Sequence, residues 1–245
     1  DALPQGGYHY LSKDVTTGMV EYKSGNTAIC LHGNDIISKN GYKVMTVYNT
    51  ATVSLTDCST VPGKITGSNQ ETYGLVLRIN EGGVLNMYGG HVTGNSGTAT
   101  GDGVVYVDKG TTKAGGEFNM YGGEISGNTA RRGGGVYTAS GGNYPATVRI
   151  LGGTITGNHS TGTGSTGGGG GILSFYPVEV GGDAKIYGNT SATSPADVYI
   201  REDQGAHLVI SSEVPLTGDA KVNAGFYKDP ANPVDLTNIT GSPAS

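Results

Sequence analysis

Tryptophan is absent from this chain of 245 residues, phenylalanine occurs three times, and only 14% of the residues are charged. Any core must therefore be filled with aliphatic side chains. Cysteine is nearly absent as well: Cys30 and Cys58 are too few for a disulfide-built scaffold. No apolar run approaches the roughly eighteen residues that a membrane-crossing helix needs, so membrane insertion is not expected. The formal net charge of -5 argues against nucleic acid as a partner. His-x-x-x-His, Cys-x-x-Cys and calcium-loop patterns are missing, and no metal or cofactor is expected. A strict Gly-X-Y period is missing too, which excludes collagen.

What is abundant is glycine, with 45 residues. Between the glycines lie short β-branched and apolar runs, such as Val84-Leu85-Asn86-Met87 and Val104-Val105-Tyr106-Val107. Disorder does not supply such runs, but a turn-dense β fold does.

The runs repeat. Asn86-Met87-Tyr88-Gly89-Gly90-His91-Val92-Thr93-Gly94-Asn95 returns as Asn119-Met120-Tyr121-Gly122-Gly123-Glu124-Ile125-Ser126-Gly127-Asn128. It returns again as Arg149-Ile150-Leu151-Gly152-Gly153-Thr154-Ile155-Thr156-Gly157-Asn158, and more weakly around Val178–Asn189. A period of about thirty residues indicates a solenoid. Each copy reads as strand, Gly-Gly corner, strand, Gly-Asn corner, then a glycine-rich stretch and a third strand. The expected fold is all-β: a single-stranded right-handed parallel β-helix of about seven three-sided coils. The coils occupy residues 27–226, with an N-terminal cap at 1–26 and a C-terminal cap or linker at 227–245. The seventh coil is expected to use Val214–Thr217 as its second strand. The opening residues read as those of a trimmed or mature fragment, and if the protein is surface-attached its anchor is expected outside these residues.

One corner position reads Asn40, Ser68, Asn95, Asn128, Asn158, Asn189 and Asp219 in successive coils. Stacked amides there can hydrogen-bond along the solenoid axis. Asn95, Asn128, Asn158 and Asn189 are therefore expected to be structural. Asn, which tolerates positive φ, is expected to hold the turn. Cys30 and Cys58 fall in corresponding stretches of the first two coils, either as buried small hydrophobes or as a disulfide.

The phrases FNMYGGEISGNTARRGGGVY (118–137), GGTITGN (152–158), AICLHGNDI (28–36) and LTDCSTVPGKITG (55–67) resemble β-helix repeats in large cell-surface proteins of Gram-positive anaerobes, many from the gut. The resemblance covers nearly all of residues 6–226. A shorter element, Gly-Gly-x-Ile/Val, resembles the repeats of polymorphic outer-membrane adhesins. The resemblance implies a secreted or cell-wall-attached protein with a role in adhesion or glycan contact.

For function the residues leave three readings. The first is a non-catalytic, monomeric module that binds host or dietary glycan or a surface protein. Strand alternation places Arg78, Tyr106, Tyr137, Leu173 and Tyr199 on the outside of the third strand, where stacking aligns them into a stripe. Arg78, Tyr106, Tyr137 and Tyr199 are the candidate ligand-binding residues, because Tyr rings suit sugar rings. A shorter series, Tyr88, Tyr121 and Leu151, precedes the Gly-Gly corner. The second reading is a polysaccharide lyase or glycoside hydrolase with a cleft on that third-strand face. Its candidates are Asp102, Asp108, Arg131 and Tyr137, with Asp102 and Arg131 expected as a cross-rung surface ion pair. Asp197, Glu202 and Asp203 form a second acidic group. The third reading is a passive stalk.

Overall fold

A computed structural model describes residues 3–41, 43–67, 76–97, 101–163, 167–192, 197–201, 205–226 and the backbone of 234–240. Ser68, Glu202 and Asp203 lie outside the described residues. The chain is an all-β parallel solenoid of about six turns, one fewer than the spacing suggested.

Three faces wind around one core. The first face contains Gly7–Tyr10, the ends of the long strands Val20–Cys30 and Met45–Thr56, then Val84–Met87, Glu117–Met120, Thr147–Ile150, Val178–Val180 and Leu208–Ile210. The second face stacks Val15–Thr17, Ile36–Ser38, Lys64–Thr66, His91–Thr93, Glu124–Ser126, Thr154–Thr156 and Lys185–Tyr187. The third stacks the starts of the two long strands, then Leu77–Ile79, Val105–Val107, Val136–Thr138, Ile172–Ser174 and Val198–Ile200. Equivalent residues sit directly above one another: Val92, Ile125 and Ile155 are register partners and fully buried. One apolar column per inward position follows, aliphatic but for residues such as Phe118, because alternation sends every second side chain into the same interior.

Two departures concern the ends. Gly7–Tyr10 and Val15–Thr17, within the stretch expected as a cap, pair in parallel with the first coil as a further partial rung. At the other end Val214–Thr217 is not a strand. Lys221–Phe226 takes its place, pairing Lys221 with Lys185 on the second face and Ala224 with Val198 on the third. Val234–Thr240 then returns antiparallel along that last strand.

The corners divide their work differently from the expectation. At the Gly-Asn corner the glycine, not the asparagine, takes positive φ: 70° at Gly94, 61° at Gly127 and 62° at Gly157. That frees the asparagine to turn inward. Asn95, Asn128, Asn158 and Asn189 are buried one above another. Each donates Nδ2–H to the Oδ1 of the next, at 2.9, 2.8 and 2.9 Å. The same Oδ1 also accepts the backbone N–H of the residue below. Asp219 is not the terminus of this ladder. Asp197 is, accepting from Asn189 Nδ2 at 2.8 Å and from Asn223 Nδ2 at 2.9 Å. A carboxylate suits that end because it only accepts.

Candidate functional site

The third-face stripe is aligned, but it is closed. Arg78, Tyr106 and Tyr137 are register partners, as are Tyr137, Leu173 and Tyr199. Yet Tyr106, Tyr137 and Tyr199 are 5%, 2% and 2% exposed, in a second apolar cluster with Leu173, Ala139 and Phe175. Phe175 meets the Tyr137 ring edge-on at 6.0 Å. Glycine-rich corners fold over the rings: a Cβ on Gly103 would fall 2.6 Å from the Tyr137 Cβ, so a larger residue would clash. The guanidinium of Arg132 covers Tyr137 at 4.7 Å, and that of Arg78 lies 5.4 Å from Tyr106. The reading of an open stripe is therefore corrected. Alternation fixes which way a side chain points, not what lies over it. A signal for this was present in the strands themselves. Val104-Val105-Tyr106-Val107 and Val198-Tyr199-Ile200 are continuously apolar, the pattern of strands buried on both sides.

The acidic candidates on that face are also engaged. Asp102 is fully buried and is clamped by two arginines, not one. Arg131 Nε reaches Oδ1 at 3.2 Å, Arg132 Nε reaches the same oxygen at 2.8 Å, and Arg132 Nη2 contacts Oδ2. The expected surface pair is thus a fully buried carboxylate held by two partly exposed arginines, and the rung above places Arg132 opposite Asp102. Asp108 accepts from Arg78 at 2.8 Å. Burial pushes the Tyr137 hydroxyl up to about 12, which disfavours it as a base. Arg131 and Tyr137 sit with Asp102, but no open cleft with two free carboxylates joins them.

Exposed tyrosines lie instead on the outer side of the first face. Its strands Val84-Leu85-Asn86-Met87 and Phe118-Asn119-Met120 place the polar Asn86 and Asn119 outward between inward apolar residues, Asn86 partly exposed and Asn119 buried among its polar neighbours. Tyr8, Ala28, Ser54, Asn86, Asn119, Arg149 and Glu179 form one outward row in register. Tyr10, Cys30 and Thr56 begin the neighbouring row. Tyr88 and Tyr121 extend that row, each donating its backbone N–H to the strand before, to Leu55 and Met87 respectively. Here the rings are accessible: Tyr8 is 93%, Tyr88 50% and Tyr121 41% exposed. Tyr88 and Tyr121 stack with centroids 4.8 Å apart and planes 9° apart, the spacing of adjacent rungs.

The two halves of this face differ. Toward the C-terminus the polar side chains satisfy one another. Arg149 bridges Glu117 at 2.9 Å and Glu179 at 3.0 Å, and Asn119 donates to Asn86 at 2.9 Å. Toward the N-terminus the outward residues are small, and a groove of about 810 Å³ results. Ala28, Cys30, Ser54 and Thr56 lie along its floor, Tyr8 and Tyr10 stand at one end, and Tyr88 at the other. Three rungs separate Tyr10 from Tyr88 along this row, a span of ~14 Å. Asn26 and Thr52 add an amide and a hydroxyl at the side.

Cys30, which lines this groove, has Cys58 beside it. They are free thiols one rung apart, with Sγ atoms 3.2 Å from each other. Neither is buried, so the buried-hydrophobe reading is corrected. His32 Nδ1 lies 3.3 Å from Cys58 Sγ. Burial acts to raise the Cys30 thiol, but the hydrogen bond with Cys58, aided by backbone donors, outweighs it and holds Cys30 below its ordinary value. The same bond, with some desolvation, pushes Cys58 up. The grouping was invisible to motif searching because its residues come from two coils.

No family model, curated protein or solved structure matches this chain. Fold and surface together define a parallel β-solenoid with a tyrosine-walled groove on its outer first face.

Proposed function

We propose that the chain is a non-catalytic glycan-binding module of a secreted or wall-attached protein, and that the groove between Tyr8, Tyr10 and Tyr88 holds the sugar. The observation that supports this most is the combination of exposed rings with a floor of small hydroxyl-bearing residues. Sugar rings present C–H faces that pack on aromatics and hydroxyls that need hydrogen-bond partners. Ser54, Thr52, Thr56 and Asn26 supply those partners along the groove. The volume lies within the range of small-ligand clefts. The enzyme reading loses its support, because Asp102 is enclosed by Arg131 and Arg132 and offers no face to a substrate.

A glycan array probed with the full chain tests the proposal. Retention on at least one oligosaccharide class is expected. Tyr88→Ala, and separately Tyr8→Ala with Tyr10→Ala, should weaken it by roughly tenfold or more, about 1.4 kcal/mol. An array with no retained glycan, or retention unaffected by both variants, rejects the proposal in favour of a protein-binding module or a passive stalk.

A further inference from the structure

We propose that Cys30, His32 and Cys58 form a binding site for a soft divalent cation of the zinc class, with one coordination position open beside the groove. The ligand atoms all lie within 4.8 Å of one another, although they come from two different coils. Two thiols and one imidazole are a donor set selective for such ions over calcium or magnesium. Tetrahedral coordination with metal–sulfur bonds of ~2.3 Å and metal–nitrogen bonds of ~2.0 Å places the two sulfurs ~3.8 Å apart and sulfur and nitrogen ~3.5 Å apart. The sulfur pair at 3.2 Å would open by about 0.6 Å and the His32–Cys58 pair at 3.3 Å by about 0.2 Å, while the Cys30–His32 pair, within 4.8 Å, would settle near 3.5 Å through side-chain rotation.

Two features prepare the site beyond the ligands themselves. His32 has φ 52°, unusual for a residue with a Cβ, and Gly33 follows at 78°. Asn34 N–H closes this turn on Leu31 C=O at 3.0 Å. The turn is a tight reversal with positive φ at both central residues, where Asn-Gly is the ordinary choice. A histidine there accepts conformational strain, and its ring is directed at Cys58. Asp57 then ties the two ligand loops together. Its carboxylate accepts N–H from Gly33, beside His32, at 3.1 Å. It also accepts from Ser59 and Gly63 in the Cys58 loop, at 2.9 and 2.7 Å. Such outer-shell bonding holds metal ligands in place. A disulfide would need neither the imidazole nor this brace.

The three ligands leave a tetrahedral ion with one free position. Cys30 also lines the groove, so water or a groove ligand can occupy it. The inference stands apart from glycan binding, since its ligands and its probe are different.

The test uses the full chain, reduced, stripped of metal and kept anaerobic, titrated with Co²⁺ alone. Thiolate-to-cobalt charge-transfer absorption and tetrahedral ligand-field bands should saturate at one ion per chain and vanish when Zn²⁺ is added. Cys30→Ser, Cys58→Ser and His32→Asn should each weaken binding about tenfold or more. Asn suits the positive φ at position 32, and unchanged thermal unfolding of that variant separates ligand loss from misfolding. The proposal is overturned if the reduced chain gives no cobalt spectrum, or if Cys58→Ser titrates like the parent. It is equally overturned if the isolated chain carries a Cys30–Cys58 disulfide whose reduction yields no metal-binding form.

Discussion

Two sets of outward tyrosines run up this molecule, yet one is sealed and the other open. Tyr106, Tyr137 and Tyr199 point away from the main core, but they lie under glycine corners, Phe175 and two guanidiniums. Tyr8, Tyr10, Tyr88 and Tyr121 point away from the same core into solvent. Outward orientation on a solenoid is therefore not exposure. What decides is whether the chain entering or leaving the strand passes over it. The third face is entered through long glycine-rich segments such as Arg131–Gly135 that close back over it. The first face is left through a two-residue Gly-Gly corner too short to cover anything.

The largest expected effect separates the rows energetically. Tyr137→Ala empties a packed site and should lower unfolding free energy by ~3–5 kcal/mol, whereas Tyr88→Ala should cost ~0.5 kcal/mol or less. Urea unfolding of both variants measures this. Equal losses would break the distinction between a sealed and an open row.

A smaller contrast concerns the asparagines. Asn128→Ala removes the acceptor of both the Asn95 backbone and side-chain N–H inside a buried ladder. It should cost ~2–4 kcal/mol, since each buried orphan costs ~1–3 kcal/mol. Asn86→Ala, on the open face, removes a bond that water can replace and should cost ~1 kcal/mol or less. The same unfolding series reads both, and a ladder variant as mild as Asn86→Ala would deny the ladder its stabilising role.

The smallest effect is a local one with pH. Backbone N–H groups of Thr112 and Thr111 hold Glu81 at about 2, below its ordinary 4.5. Because the folded value is depressed, the ordering that Glu81 gives to the Thr111–Lys113 loop is complete above pH 4.5. It is lost as pH falls toward 2. Amide signals of Thr111 and Thr112, followed by NMR titration, should therefore move with a midpoint near 2. A midpoint near 4.5 would mean that the carboxylate does not hold the loop.

Much of the architecture was legible because it is periodic. Gly-Gly and Gly-Asn at a thirty-residue spacing located most strands, and the single buried column of Val92, Ile125 and Ile155 followed from alternation. Legibility ended where the period did. Val214–Thr217 imitates a second strand by composition, but the turn through Thr217–Ala220 hands that role to Lys221. The ladder accordingly ends on Asp197, eight residues beyond Asn189, and not on Asp219. Arg132 was passed over beside Arg131 because only the rung register shows which of two adjacent arginines faces Asp102.

The sequence by itself determined the winding, the stacking of like on like, and the direction in which each strand residue points. These depend on local backbone geometry repeated at a fixed interval. Only the tertiary structure decided which outward row is reachable, that small residues between Tyr10 and Tyr88 open a groove, and that Cys30, His32 and Cys58 converge beside it. Those outcomes depend on loops packing over faces and on neighbours about thirty residues apart in the chain but one rung apart in space. No local pattern encodes that relation.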